Sequence, residues 1–292
     1  MSETFALEIE GLFRSFGSHA VLTNVSWRVP TGAVVGVLGR NGCGKTTLLQ
    51  AAVGLLRADA GRVRLLGEDV RDLSDAAKGR LGYVPQRPVL PPRMTVTNLC
   101  RHHAALYPRW DEVLVNALLR RFGIDRGAKV GALSLGHQQS LALALALGPH
   151  PAVLILDEPA ASLDPVARRV FHDTVLEVAC DGQRTVILST HLTADIERLA
   201  NRLLILANGQ TLYDGGLDDL QATTKRLRLR AERPLGRPAW TEVRSWRAEG
   251  SIAVAVIQGD VAAVVERAQR LLGAEVIVDD LTLENILVEV HP

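Results

Sequence analysis

One junction limits the fold of this 292-residue chain more than any other. The uniformly apolar run Val34–Leu38 ends in GRNGCGKT, Gly39–Thr46, and that loop leads into a helical stretch, Thr46–Leu56. A strand apolar on both faces belongs inside a covered parallel sheet, so the fold class is α/β. The loop fits G-x-x-x-x-G-K-[ST] through Gly39, Gly44, Lys45 and Thr46, in the strand–loop–helix setting that the pattern needs. Its glycines let backbone N–H groups turn inward around phosphate oxygens. The helix behind it adds the partial positive charge of its N-terminus. The candidate contacts are Gly39, Arg40, Asn41, Gly42, Cys43, Gly44, Lys45, Thr46 and Thr47. Lys45 is expected to reach the outer phosphates, and the Thr46 hydroxyl to ligate Mg²⁺. A plain glycine-rich turn would leave the Lys-Thr pair and the apolar strand unexplained. Cys43 has two readings: a thiol activated by the helix N-terminus, or a small residue that fits the loop.

A second stretch, Leu133–Pro165, reads LSLGHQQSLALALALGPHPAVLILDEPAASLDP. It holds a Leu-Ser-x-Gly turn, an amphipathic helix, and an apolar strand, Ala152–Leu156, that ends at Asp157-Glu158-Pro159. That strand is expected beside the phosphate-loop strand, with its carboxyl end where open α/β sheets bind ligands. Asp157 is expected to hold Mg²⁺ through water, and Glu158 to polarise the attacking water as general base. Without the loop upstream, the two acids would read as a solvated strand-end cap. Ser134 is a good N-cap for the helix, with Leu141 and Leu145 on its apolar side. A serine there is usually only a cap; its place before the Asp157-Glu158 strand makes it a candidate anion contact.

In this order the motifs resemble those of the ATP-binding subunit of an ABC transporter, over about Phe5 to Ala222. The resemblance implies a P-loop ABC ATPase domain: a mixed sheet core, an antiparallel β subdomain and a helical subdomain. Phe16, in SFGSHAVL, matches the aromatic that stacks on adenine. Gln86, in LGYVPQ, matches the glutamine that senses Mg²⁺ and water and faces the membrane partner. Ser134 and Gly136 match the signature that closes on the γ-phosphate held by the other subunit. Asp164 matches the loop that communicates across the dimer, and His191, in ILSTHL, the histidine that contacts the γ-phosphate. The implied cofactors are ATP and Mg²⁺. The implied partners are a second ATPase subunit, forming a homodimer around two nucleotides, and a transmembrane permease subunit on a separate chain. The implied location is the cytoplasmic face of the inner (plasma) membrane.

Tyr107–Asp111, YPRWD, resembles a segment of bacterial ABC-2-type exporter ATPases, although Trp110 also suits a core aromatic at a helix start. The signature departs from LSGGQxQR at Leu135, His137 and Ser140, and Ala160 and Ser162 replace the commoner Thr and Gly near Asp164. These changes bear on turnover more than on fold.

The expected organisation is an ATP-binding domain over 1–222, with a helical subdomain at about 87–150, and a small α+β module over 223–292. Residues 5–35 alternate as antiparallel strands, and Leu81–Val84 and Thr185–Leu188 read as further central strands. Asn208-Gly209 marks a hairpin between Leu203–Leu206 and Gln210–Asp214. In the module, Leu227 and Leu229 alternate with Arg226, Arg228 and Arg230, which reads as an edge strand with a charged face. Those arginines suit either a solvated surface or acidic lipid headgroups. A strand (Ser251–Ile257), a helix (Val261–Leu272), a strand (Glu275–Asp279) and a short terminal helix follow.

A net charge of +1 leaves no strong basic field, so nucleic acid is not the expected partner. Cys43, Cys100 and Cys180 are too widely spaced for a metal pattern, and their odd number suits a reducing compartment. The N-terminus lacks a secretory pattern, and no apolar run approaches the roughly 18–20 residues of a membrane span. A transport channel would therefore come from another chain. Two rivals are a soluble ABC ATPase with a non-transport task and a nucleotide-sensing module with little turnover. The chain has neither the coiled-coil insertion nor the second cassette that suits the first. Glu158 and His191 argue against the second.

Overall fold

In the computed structural model, which describes residues 4–179 and 182–290, alternation near the N-terminus becomes a long antiparallel hairpin. Its strands are β1 (Phe5–Phe16) and β2 (His19–Pro30), joined through Gly17 at φ 60°. β3 (Val34–Leu38) follows, buried at every residue. Beyond the glycine loop, α1 (Lys45–Ala52) stops a turn short of the expected Leu56. Gly54 ends it: at φ 75° its N–H reaches Ala51 O at 3.1 Å, while the Leu55 N–H reaches Gln50 O at 2.9 Å. This pair of bonds satisfies the last carbonyls of the helix through a left-handed residue.

β4 (Ala60–Leu65) and β5 (Glu68–Asp69) extend the hairpin into a four-stranded antiparallel sheet ordered β2-β1-β4-β5. The short α2 (Asp75–Lys78), capped by Ser74, leads to β6 (Leu81–Val84). Next come α3 (Val96–Leu106), capped by Thr95, and α4 (Glu112–Arg121), capped by Asp111. α5 (Leu135–Leu147) begins at Ser134, whose Oγ accepts from the His137 N–H at 3.1 Å. The expected amphipathic helix is instead buried on all sides from Gln139 to Leu145. Its run of alternating Leu and Ala puts apolar groups all round the axis, the mark of a core helix. Trp110 is half-buried rather than in the core: its ring packs on Gly148, where a Cβ would lie 2.6 Å from it, and its indole N–H donates to Glu112 at 2.8 Å.

β7 (Val153–Asp157), α6 (Pro165–Ala179), β8 (Thr185–Ser189), α7 (Thr193–Leu199), β9 (Arg202–Ala207) and β10 (Gln210–Gly216) complete the central sheet. Its order is β10-β9-β3-β8-β7-β6, with β3 and β6 through β9 parallel. β7 is therefore not beside the phosphate-loop strand: β8 lies between them. Both strands are five residues long and wholly buried, so apolarity alone does not rank them; the crossover through α6 returns the chain into the gap. Asn208 and Gly209, at φ 49° and 73°, form the hairpin turn before β10. One apolar cluster draws Ile9, Leu12 and Trp27 of the antiparallel sheet together with Leu48 and Leu49 of α1 and Val35, Ile155 and Ile187 of the central sheet. That packing holds α1 against the strands that carry the loop.

The chain divides into two compact units, Met1–Asp214 and Gly215–Pro292. The second contains α8 (Leu217–Thr223), β11 (Thr224–Arg230), β12 (Val243–Glu249), β13 (Ile252–Gln258), α9 (Val261–Leu272), β14 (Glu275–Asp280) and α10 (Leu283–Val290). Its antiparallel sheet is ordered β12-β13-β11-β14, so the arginine-rich strand is interior, not an edge. Burial of Leu227 and Leu229 draws β11 inside, and β14 offers its charged face partners: Arg228 meets Asp279 and Lys225 meets Asp280, each at 2.6 Å, pairs open to water that add little by themselves. Leu227 and Leu229 face a core closed by Val264 and Ala268 of α9.

Gly54→Ala places a side chain at positive φ, with its Cβ 2.5 Å from Val70 O. It is expected to destabilise Met1–Asp214 by about 1–3 kcal/mol. Thermal unfolding checks this; an unchanged midpoint refutes it.

Candidate active site

The loop after β3 wraps a small space that its own residues fill. Gly39 sits at φ 151°, where a Cβ would lie 2.5 Å from both Cys43 Sγ and Leu206 O. Gly44, at φ 105°, starts α1. Lys45 is only 5% exposed and is held by the loop: its Nζ donates to Gly39 O at 2.8 Å and Arg40 O at 3.3 Å. A cavity of about 510 Å³ opens above. Asn41, Gly42, Gly44, Lys45, Thr46 and Thr47 form one wall. Gln86 comes from beyond β6, Glu158 from beyond β7, and His191 from beyond β8. These are the carboxyl ends of parallel strands, as the sequence led us to expect.

Asp157 and Glu158 are consecutive but face different partners. Asp157 is 1% exposed; its Oδ1 accepts from Ser189 Oγ at 2.7 Å and Thr46 Oγ1 at 3.2 Å. Its Oδ2 is buried without a hydrogen-bond partner. Burial pushes the Asp157 carboxyl above its ordinary range, against the hydrogen bonds from Ser189 and Thr46. Glu158 projects into the cavity. Its Oε1 lies 3.6 Å from Lys45 Nζ, and its Oε2 lies 3.4 Å from Gln86 Nε2 and 3.3 Å from His191 Nδ1. The Glu158 backbone sits at φ 43°, a left-handed conformation that costs a residue with a side chain about 1–3 kcal/mol. Its amide donates to Ser189 O at 3.1 Å and to Ser189 Oγ at 2.9 Å. A carboxylate oxygen without a partner beside a threonine hydroxyl is a hard-oxygen donor set, and it fits Mg²⁺ with nucleotide phosphates supplying further ligands.

Other candidates lie elsewhere. Phe16 is not among the cavity-lining residues; it is 48% exposed at the end of β1, with the Arg14 guanidinium 4.6 Å from its ring centre. Its strand partner His19 does line the cavity, as does Val21. Ser134, Gly136 and Asp164 line a different cavity, of about 560 Å³, that shares no lining residue with the first. There the Asp164 carboxylate accepts from the Val166 and Ala167 amides, both at 2.9 Å, at the start of α6. A Cβ on Gly136 would lie 3.3 Å from Ser162 O, so the start of α5 rests against the segment leading to Asp164. Sequence reasoning missed Ser189, His19 and Val21. The only signal for Ser189 was its place at the end of an apolar strand, two residues before His191.

A glycine loop between a buried parallel strand and a helix, facing two strand-end acids, defines a P-loop α/β nucleotide-binding protein. Residues 22–161 match the ABC transporter family. Over 278 residues the chain is 29% identical to the ABC transporter ATP-binding protein YdbJ of Bacillus subtilis, spanning 94% of this chain and 90% of that one. Over 227 residues it is 34% identical to the Nod factor export ATP-binding protein I of Paraburkholderia xenovorans, spanning 75% of this chain and 73% of that one. A solved ATP-binding subunit of an ABC transporter superposes with a TM-score of 0.68 at 28% identity, covering 75% of this chain and 92% of that one. The chain belongs to the ABC transporter family, as an ATP-binding subunit. Among the described residues no helix is long and apolar enough to cross a membrane.

The two readings of Cys43 now separate. The thiol is buried under the loop, and burial pushes its pKa up against the opposing charge of Lys45. The thiolate is therefore scarce at neutral pH. Peptide mapping after brief iodoacetamide treatment should find Cys43 labelled far more slowly in the folded protein than in the unfolded one. Equal rates would restore the activated-thiol reading.

Proposed function

We propose that the chain binds MgATP and hydrolyses it to power a bacterial exporter of the ABC-2 type, through a transmembrane permease on a separate chain. The observation that carries this is the convergence of Lys45, Thr46, Gln86, Glu158 and His191 on one cavity. In this reading the loop amides and Lys45 hold the phosphates, and Thr46 and Asp157 hold Mg²⁺, which neutralises phosphate charge. Glu158 is the base that takes a proton from the attacking water, and His191 and Gln86 keep its carboxylate oriented. Phe16 stacks on the base from the rim.

Ser134, Gly136 and Asp164 lie at another cavity, which supports a head-to-tail homodimer in which each copy completes the partner's site. Leu135, the bulkiest departure in the signature, is 49% exposed and lines that cavity beside Ser134 and Gly136, where a partner's nucleotide would meet it. The export function named for the Paraburkholderia relative supports the direction of transport. A groove of about 180 Å³ with mixed polar and apolar walls, lined by Pro85, Val89, His103 and Tyr107, begins at the residue before Gln86 and supports a membrane partner on that side. The chain then works at the cytoplasmic face of the inner membrane, with 1–222 as the ATP-binding domain and 223–292 as a module that supports or regulates the dimer.

Glu158→Gln is expected to cut ATP turnover by about 10²–10⁴-fold. ATP binding should be retained, and the variant should run as a dimer in ATP on gel filtration. Membrane extract from the source cells should stimulate the wild type. Equal turnover by wild type and variant, with ATP bound by both, would instead support the nucleotide-sensing module.

A further inference from the structure

We propose that Ser189 is a positioning residue whose single hydroxyl sets both acids of the cavity, aiming Asp157 at the metal and Glu158 at the water. The inference rests on the hydrolytic reading above. Parallel pairing of β7 with β8 places Ser189 directly beside Asp157, and both are buried. A serine hydroxyl has one proton to give and lone pairs to accept with. Here the two capacities go to different acids. The proton goes to Asp157 Oδ1 at 2.7 Å, and the oxygen accepts the Glu158 amide at 2.9 Å.

Each bond has a consequence. On Asp157, Ser189 and Thr46 together occupy Oδ1 and leave Oδ2 as the buried oxygen without a partner. The carboxylate is thereby oriented before any cation arrives. On Glu158, the Ser189 hydroxyl and carbonyl both accept the same amide and hold the backbone at φ 43°. That local reversal lets neighbouring residues serve separate tasks. Asp157 stays against Thr46, while Glu158 swings out to Lys45, Gln86 and His191. A serine that merely satisfied a buried strand end would need one of these bonds. Ser189 makes both, one to the Asp157 carboxylate and one to the Glu158 backbone amide.

The test is Ser189→Ala beside Ser189→Thr, wild type and Glu158→Gln, read in two ways. Ser189→Ala should lower kcat by about 10–100-fold, with KM for ATP moving less than about threefold. Independently of turnover, a fluorescent ATP analogue should bind Ser189→Ala in EDTA as tightly as wild type, but gain less affinity when Mg²⁺ is added. Ser189→Thr, which keeps the hydroxyl, should restore both. If Ser189→Ala does not fold, Ser189→Cys, close in size but a weak donor, takes its place with the same expectations. A variant that melts earlier yet keeps wild-type kcat and the wild-type Mg²⁺ gain overturns the inference. A wild type without Glu158-dependent turnover overturns the hydrolytic reading instead, and the Mg²⁺ gain still decides the orientation of Asp157.

Discussion

The parallel register of β7 on β8, and of β8 on β3, governs the rest of the cavity. It pairs Asp157 with Ser189 and Ser189 with Val37, so three strands end at one level beside the glycine loop. Every residue of these strands is buried. Because side chains alternate faces, a slip of one residue would turn Asp157 away from Thr46 and Ser189 away from Asp157. The hydrophobic packing of α1 and the strands thus does more than stabilise: it fixes where a buried carboxylate meets its hydroxyl partners. The local strain at Glu158 is tolerable because that register supplies two acceptors for its amide.

Much of this was legible in the sequence, and the reasons are local. The glycine loop declares itself because only glycines suit its positive φ values and its close contact with Leu206 O. The strand ending in Asp157 declares itself by its unbroken apolarity. Ser134 was legible as a helix cap because it carries its own acceptor. Strand order was not legible. β7 and β8 carry the same apolar signal, and nothing in either run says which one lies beside β3. The orientation of α5 was illegible for a related reason, since Leu and Ala alternate around its whole circumference. Ser189 was overlooked because its importance comes from a strand pairing between residues far apart in sequence.

The second unit shows the opposite failure. Alternating Leu and Arg in β11 correctly separates an inner from an outer face, with Leu227 and Leu229 buried. The same charges suggested an unpaired edge only while β11 was considered alone. Asp279 and Asp280, about fifty residues on, give Arg228 and Lys225 partners, so the charges no longer stand against a neighbouring strand. Charge patterning on one strand is a statement about its neighbours as much as about solvent.

Trp110 has a use beyond packing. α5 is thirteen residues long, a rod of about 20 Å, with Ser134 at one end and Gly148 just past the other. The Trp110 ring is pressed against the Gly148 backbone. The other tryptophans are distant in role: Trp27 lies in the core, and Trp240 and Trp246 belong to Gly215–Pro292. A helix that tilts when its N-terminal end engages a phosphate would disturb that indole. Were that tilt to occur, Trp110 would register it as a change in fluorescence without any attached dye.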